Sequence, residues 1–359
     1  MSRPTKLIID ITALQHNFRQ IQHYAPKQAI MAMVKADAYG HGFERIALAL
    51  PQASAFGVAS LEEGLILQRA GVTQPIVLVE GLFSTNELNE AIRNNFILVL
   101  HHHEQVAMLE KAKLEKTVSV WVKLNTGMCR LGFSPQSIPA LYPRLMACRN
   151  IEKPMGWMTH FAEADDLDSA VTIEQIAIFN DAVANFAGLR SLASSAGILS
   201  WPKSHADWVR PGIMLYGISP FRDKIGLDHQ LQPVMTLQAQ LIAIQHITQG
   251  ARVGYGGTWI APENMRIGVV STGYGDGYPQ HTQNGTPVLV NGKLCPLVGR
   301  VAMDMLTVDL RSQAEAKVGD SVVLWGDGLP VETVALASDT SAYELVTRMT
   351  HRPPVQIVR

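Results

Sequence analysis

The feature that most constrains the fold is a series of eight short apolar segments in the first two thirds of the chain. They are typical of buried strands and cover residues 30–34, 55–59, 76–79, 96–100, 118–124, 155–160, 191–195 and 208–215. Amphipathic stretches with helical periodicity lie at 12–24, 61–70, 85–94, 104–112 and 173–186. This alternation predicts an α/β fold with a parallel sheet, and eight strands suit a closed (β/α)8 TIM barrel. An open doubly wound sheet is the alternative, although no glycine-rich dinucleotide motif follows the first strand.

The pattern becomes rich in β-strands after about residue 231. A long strand is predicted over 232–247, and Asn291-Gly292 between two apolar runs indicates a hairpin with a type I′ turn. Further strands are predicted at 306–310 and 321–325, followed by a helix at 342–349. The sequence therefore predicts a barrel domain over residues 1–230 and a mostly-β domain over 231–359. We expect the first few residues to pair with the second domain.

Composition indicates a globular protein and excludes several classes of partner. Among 359 residues, 47% are apolar and 17% charged, with a net charge of -1. Neither a nucleic-acid partner nor a membrane partner is expected, because no basic run or spanning apolar run occurs. The short apolar run near the N-terminus does not resemble a signal peptide, and three widely spaced cysteines suit a cytoplasmic location. Three consecutive histidines at 101–103 suit a solvated loop, so no metal site is predicted.

Polar side chains recur where the predicted barrel strands end. Lys35 follows the first strand, and Lys123, His160 and Arg210 lie at or near the ends of later ones. Barrel enzymes build their sites at this end of the strands. A partly desolvated lysine favours the neutral amine, which can attack a carbonyl carbon. The sequence therefore predicts an active site at the barrel mouth, although a single strand-end lysine more often points into water.

Five motifs resemble those of the alanine racemases, in that family's order and over essentially the whole chain. They are VKADAYGHG at 34–42, GMCRLG at 127–132, RVGYGGTW at 252–259, GYGDGY at 273–278 and GRVAMDM at 299–305. The resemblance implies an enzyme that uses pyridoxal 5'-phosphate (PLP) to interconvert L- and D-alanine. It also implies a homodimer with shared active sites. The product would serve peptidoglycan synthesis or the reaction would serve alanine catabolism, and the sequence leaves this choice open.

The resemblance implies a set of cofactor-binding residues in the first domain. Lys35 matches the lysine that holds PLP covalently and moves a proton on one face of the substrate. The residues that match contacts to the cofactor phosphate are Tyr39, Ser195, Gly212 and Ile213. His160 matches the histidine beside the pyridine ring, and Arg210 matches the arginine at the ring nitrogen. Because arginine stays charged, the ring nitrogen would stay unprotonated, which restrains side reactions.

Two further barrel residues match family positions near the substrate. Arg130 matches the arginine near the cofactor's phenolic oxygen and the substrate carboxylate, a task suited to a planar guanidinium. Lys123 matches a lysine that is carbamylated in many members and orients that arginine. The sequence leaves open whether Lys123 is carbamylated or is an ordinary strand lysine.

The second domain supplies the remaining implied residues. Tyr255 matches the second base, which acts on the face opposite Lys35, because one group rarely reaches both faces of a substrate. Tyr274 matches a residue that narrows the substrate entrance, and the Met303 backbone N–H matches a donor to the substrate carboxylate. All three reach the site from the partner subunit in the family. The sequence departs from the family at two positions. Many members have an asparagine at the position of Ser194, and many have a phosphate-binding tyrosine at the position of His351.

Two alternative functions remain open from the sequence. One is a PLP racemase of broader substrate range on the same two-domain plan. The other is a non-catalytic PLP-carrier protein, which also has a barrel and a covalent lysine. The carrier alternative leaves the β-rich second domain and Tyr255 unexplained.

Overall fold

The computed structural model describes residues 3–359, which form two compact units. The first, called the barrel unit, comprises Phe18–Ala38 and Gly42–Leu215. The second, called the β-rich unit, comprises the described residues up to Asn17 together with Tyr39–His41 and Tyr216–Arg359. The functional division of the chain at residues 230 and 231 remains a prediction.

Eight parallel strands close into a barrel in sequential order, and helices connect them. Strand β1 (Lys6–Asp10) and helix α1 (Ile11–Tyr24) precede the barrel. The barrel strands are β2 (Ala29–Met33), β3 (Ala55–Val58), β4 (Ile76–Leu78), β5 (Ile97–Leu100), β6 (Val120–Lys123), β7 (Gly156–Met158), β8 (Arg190–Ser191) and β9 (Trp208–Val209). The helices among them are α2 (Lys35–Gly40), α3 (Phe43–Leu48), α4 (Leu61–Arg69), α5 (Thr85–Arg93), α6 (His103–Lys111), α7 (Ile138–Ala147), α8 (Val171–Ala182) and α9 (Ser195–Ser200).

The barrel closes because β9 pairs in parallel with β2, Ala29 facing Trp208. This closure confirms the predicted TIM barrel and shows that the open doubly wound alternative is wrong. The strands read as continuous apolar runs because strands of a parallel barrel are buried on both faces. Met31, Phe56 and Trp157 are fully buried, and burial of each such side chain contributes about 1.5–3 kcal/mol.

The structure differs from the predicted elements at several places in the barrel unit, and the short helices α2, α3 and α9 were not predicted. The strands predicted over 191–195 and 208–215 end early, because Ser195 begins α9 and Ile213–Tyr216 forms a 3₁₀ turn. Helix α7 was missed, because Pro139 and Pro143 suggest a loop in the sequence. Pro139 lies in the first turn, where its missing N–H costs nothing, whereas Pro143 lies inside the helix.

The β-rich unit is organised around one long strand. Its strands after the barrel are β10 (Met235–Ile247), β11 (Arg252–Val253), β12 (Trp259–Ile260), β13 (Met265–Val270), β14 (Pro287–Val290), β15 (Lys293–Pro296), β16 (Leu306–Asp309), β17 (Ser321–Trp325) and β18 (Val355–Val358). Its two helices near the C-terminus are α10 (Val331–Ala337) and α11 (Ala342–Thr347). Strand β10 pairs antiparallel with β1, β13 and β17, and β1 also pairs in parallel with β18.

The hairpin predicted at Asn291-Gly292 is confirmed. Strands β14 and β15 pair through Val290 and Lys293, and both turn residues have positive φ, 50° and 75°. Both central residues of a type I′ turn require this conformation. Strands β11, β12, β13 and β18 were not predicted. β11 and β12 have two residues each, β18 has only four, and Arg266 and Gly268 interrupt the apolar run of β13.

Candidate active site

Lys35 begins a helical turn of the unusual left-handed kind. Strand β2 ends at Met33, and the four residues Ala36–Tyr39 that follow Lys35 all have φ between 52° and 54°. Non-glycine residues pay about 1–2 kcal/mol each in this conformation, so consecutive examples are rare. Backbone strain of this kind concentrates at functional sites, where the surrounding structure enforces it. The turn therefore marks Lys35, which is half-buried, as a specially positioned residue.

Hydrogen bonds to two carboxylates fix this turn. Glu63 accepts from the backbone N–H of Ala36 at 2.9 Å and from that of Ala59 at 2.6 Å. Asp37 accepts from the N–H of Phe43 through its side chain, at 2.9 Å. Bonds of a charged carboxylate to backbone N–H groups are about twice as strong as neutral ones, so they offset part of the strain.

Glycine in place of Ala36 is expected to stabilise the fold by about 0.5–1 kcal/mol, because glycine adopts positive φ without strain. The same change at Ala107 in the right-handed helix α6 serves as a matched control, where a loss of about 0.5–1 kcal/mol is expected. Chemical denaturation of both variants measures the difference. Destabilisation by Ala36→Gly would mean that the left-handed turn is not strained.

A cluster of basic side chains lies at the C-terminal ends of the barrel strands. The charges of Arg210, Arg130 and Lys35 act on Lys123, and desolvation together with these charges lowers the pKa of Lys123 to about 8. Desolvation and the same neighbours lower the pKa of His160 to about 3, so its imidazole is neutral at physiological pH. An excess of positive charge at a barrel mouth suits an anionic ligand.

Arg210 is fixed by oxygen atoms from neighbouring strand ends. It donates to the Ser191 hydroxyl at 2.6 Å, to the Thr159 carbonyl at 2.5 Å and to the Leu192 carbonyl at 3.1 Å. These bonds use three of the five guanidinium N–H groups. Burial lowers the pKa of Arg210 to about 10, so the group remains charged at neutral pH. A rigid, buried cation is thus held beside His160.

Ser195 receives two backbone N–H groups on its hydroxyl oxygen. The N–H of Gly212 donates to it at 3.0 Å, and the N–H of Met214 donates at 3.3 Å. Ile213 lies between these two donors and is fully buried. Because both lone pairs of the hydroxyl are engaged, its hydrogen remains to be donated to an acceptor. The structure thus brings Ser195, Gly212 and Ile213 together.

Tyr39 and His351 belong to the β-rich unit. The ring of Tyr39 stacks on that of Tyr216 with 4.9 Å between their centroids, and burial raises the pKa of Tyr39 to about 12. Its phenol is therefore a neutral hydrogen-bond donor, as a phosphate contact requires. His351 is exposed near the start of β18.

Tyr255, Tyr274 and Met303 lie on loops of the β-rich unit. Tyr255 is 71% exposed, in a turn where Gly254 and Gly256 have positive φ. Tyr274 and Met303 belong to adjacent loops, because the N–H of Gly275 donates to the Met303 carbonyl at 2.9 Å. Met303 is 53% exposed. Two large side chains are thus left outside the core of the unit that carries them.

The sequence interpretation missed Glu63, Asp276 and two arginines that contact Asp276. For Glu63 a signal existed, since Ser60 and Glu63 have the spacing of a helix-capping motif. That motif predicts the start of α4 but not the reach of the carboxylate to Ala36, which depends on the closed barrel.

The three consecutive histidines contact separate groups. A ring nitrogen of His101 lies 2.9 Å from the Glu80 carbonyl, and one of His102 lies 2.6 Å from the Glu104 carboxylate. The third histidine packs edge-on against Phe133. Within residues 3–359, no group of three or more His, Cys, Asp or Glu side chains has the arrangement of a metal site. No helix in this described part of the chain is long and apolar enough to cross a membrane.

A closed barrel with a lysine and a basic cluster at its mouth, together with a β-rich unit, defines a two-domain barrel enzyme. The alanine racemase N-terminal domain family matches residues 9–220, and the alanine racemase C-terminal domain family matches residues 234–357. The biosynthetic alanine racemase of Escherichia coli (strain K12) is 50% identical over 353 residues, which are 98% of each chain.

Solved structures agree with the sequence comparison. The crystal structure of the biosynthetic alanine racemase from Pseudomonas aeruginosa superposes with a TM-score of 0.96 at 42% identity, covering 99% of this chain and 100% of that one. The alanine racemase from Acinetobacter baumannii gives a TM-score of 0.91 at 42% identity, with the same coverage. The chain belongs to the alanine racemase family, and it is an isomerase that acts on amino acids.

Proposed function

We propose that this protein interconverts L- and D-alanine with PLP bound covalently to Lys35. The observation that carries the proposal is the strained left-handed turn directly after Lys35, at a barrel mouth where the charges of Lys35 and Arg210 both act on a neutral His160. Relatives at 50% identity over nearly the whole chain are named alanine racemases. The match of residues 234–357 to the C-terminal domain of that family favours racemisation over a carrier function.

The residues present fit PLP. The cofactor's phosphate would be held by the Ser195 hydroxyl, Gly212, Ile213 and the neutral phenol of Tyr39. The phenolic oxygen would meet Arg130, and the ring nitrogen would meet Arg210. When bound, PLP delocalises the negative charge left at Cα after a proton is removed. Arg210 keeps its proton and its positive charge, which disfavours a second positive charge beside it, so the ring nitrogen would stay unprotonated.

Two proton-transferring groups on opposite faces would carry the reaction. We assign Lys35 to one face and Tyr255 to the other, because racemisation removes a proton on one side and returns it on the other. His160, neutral at physiological pH, can accept a hydrogen bond from the Tyr255 phenol and so assist proton removal. Arg130 and the Met303 N–H would hold the substrate carboxylate, and Tyr274 would limit the substrate side chain.

A homodimer is part of this proposal. Tyr255 and Met303 are 71% and 53% exposed in the single chain, although the assigned roles require a water-poor site. A second copy that receives these side chains would give two shared sites related by symmetry. We further propose a cytoplasmic enzyme that supplies D-alanine for peptidoglycan, since the relatives are named biosynthetic.

Carbamylation of Lys123 is also proposed, because carbon dioxide reacts with a neutral amine and the pKa of Lys123 is lowered to about 8.

The lowered pKa also predicts how stability depends on pH. The native state binds the ammonium proton of Lys123 less tightly than the unfolded chain does, so the stability of the wild type should rise with pH between about 8 and 10.5. In bicarbonate-free buffer at pH 7, Lys123→Met should be more stable by about 3 kcal/mol. Added bicarbonate should stabilise the wild type only, with the exposed Lys27→Met as control. An unresponsive wild type would contradict carbamylation.

Incubation with L-alanine in heavy water tests the proposed reaction. We expect the PLP-loaded protein to form D-alanine that carries deuterium at Cα, measured by chiral separation and mass spectrometry. Serine and larger amino acids should react much more slowly, which separates an alanine racemase from one of broader range. Recovery of unexchanged L-alanine from a protein with PLP bound at Lys35 would contradict the proposal and favour a carrier.

A further inference from the structure

A buried carboxylate in the β-rich unit joins the two ends of the chain. Asp276 is fully buried, and Arg3 donates to both of its oxygens, with 2.8 Å for the bond to Oδ2. Arg352 approaches the same carboxylate, with 3.6 Å between Nε and Oδ1. Arg352 also donates to the Asp304 carboxylate at 2.7 Å, and Arg3 donates to the Asp304 carbonyl. We call these four residues the ionic clamp.

The ionic clamp holds the two loops that carry Tyr274 and Met303. Asp276 ends the 3₁₀ turn that begins at Tyr274, and its carboxylate accepts from the Gly273 N–H at 2.9 Å. Asp304 directly follows Met303. The loops also bond to each other directly, because the Tyr274 N–H donates to the Ala302 carbonyl at 3.0 Å. The clamp thus adds charged bonds on both sides of the two backbone hydrogen bonds that join the loops, from Tyr274 N–H to Ala302 and from Gly275 N–H to Met303.

Two glycines permit this close approach. A Cβ atom on Gly273 would lie 2.2 Å from the Ala302 carbonyl oxygen, and one on Gly275 would lie 2.1 Å from Nη1 of Arg352. Side chains at these positions would push apart the two loops or displace the arginine. The GYGDGY motif therefore contains Tyr274, the clamp carboxylate of Asp276, and the two glycines that allow this loop to lie against the loop of Met303.

We propose that the ionic clamp sets substrate selectivity by fixing the distance between the Tyr274 side chain and the Met303 backbone N–H. This inference rests on the proposed function, in which Met303 receives the substrate carboxylate and Tyr274 limits the substrate side chain. The separation between these groups determines how large a side chain fits. Arg3, Asp276, Asp304 and Arg352 are positioning residues, since they act through Tyr274 and Met303.

Replacement of Arg352 tests the clamp, with two variants of different severity. Arg352→Ala removes the cation, and Arg352→Lys keeps the charge but cannot reach two carboxylates with a planar fork. We expect Arg352→Ala to raise the KM for alanine about tenfold, with kcat changed less, because a small misplacement of a binding group weakens binding strongly. The ratio of serine to alanine turnover should rise severalfold, as we also expect for Tyr274→Ala, which removes the side chain that limits substrate size. Arg352→Lys should give values between those of the wild type and Arg352→Ala.

Arg348→Ala is the matched control, because Arg348 is an exposed arginine that pairs with Glu344 four residues away. It should leave the KM and the selectivity ratio unchanged.

Calorimetric titration with propionate, a carboxylate of alanine's length, gives a readout that is independent of turnover. Arg352→Ala should bind propionate about tenfold more weakly than the wild type. A variant with lower thermal stability but unchanged propionate affinity and selectivity would overturn the inference and leave the clamp a structural tie. A wild type that binds propionate without racemising alanine would overturn the proposed function instead, and the propionate comparison would still test the clamp.

Discussion

Replacement of Tyr255 by phenylalanine is expected to reduce racemisation of L-alanine by about 10³-fold or more while PLP binding stays intact. The change removes one oxygen from a side chain that is 71% exposed, so the fold of the chain should be unaffected. In the proposed mechanism Tyr255 acts on the face from which L-alanine loses its proton, so proton removal from L-alanine should suffer most. Lys35 would remain available to remove the proton of D-alanine on the opposite face. In heavy water, the variant should therefore exchange the Cα hydrogen of D-alanine without inverting it.

Tyr142→Phe is the matched control for this prediction. It removes the same oxygen from a tyrosine whose ring packs against Phe186 and Trp157 in the barrel unit. Full activity is expected in the control. Undiminished racemisation by Tyr255→Phe would rule out the two-base assignment, and loss of PLP binding would assign Tyr255 a role in holding the cofactor.

Replacement of Lys35 by alanine is expected to remove both the proposed covalent link to PLP and one of the two proposed proton-transferring groups. Activity should fall by about 10⁴-fold or more, because a nucleophile and a base are lost together. The visible absorbance of lysine-bound PLP should disappear. The fold should persist, because Lys35 makes no contribution to the barrel core and the Glu63 bonds reach the backbone of the next residue.

Rescue by a small amine distinguishes lost chemistry from lost structure. Methylamine can occupy the space vacated by the lysine side chain, so partial activity should return at high amine concentration. The exposed lysine variant Lys27→Ala should behave as the wild type and show no response to amine. An active Lys35→Ala protein without added amine would contradict the assignment of Lys35.

The regular parts of the fold were predictable because their signals are local. The apolar runs of the first six barrel strands need no knowledge of distant residues, and Asn291-Gly292 specifies its turn by backbone conformation alone. The last two strands were predicted too long. Ser195 and Ile213 leave the strand direction to satisfy hydrogen bonds between Ser195 and the backbone near Gly212, and these partners are 17 residues apart.

The sequence by itself determined the alternation of strands and helices in the first two thirds of the chain and the family, because periodicity and motifs are written in consecutive residues. Closure of the barrel, which the sequence left open against a doubly wound sheet, was decided by the pairing of β9 with β2. Only the tertiary structure decided the left-handed turn after Lys35, since every residue in it intrinsically prefers the opposite hand and the carboxylate of Glu63, 27 residues away, helps to enforce the exception. It alone also determined the lowered pKa of His160 and the ionic clamp of Arg3 with Asp276. Desolvation and ion pairing depend on which groups meet in space, and no local pattern in the sequence contains that information.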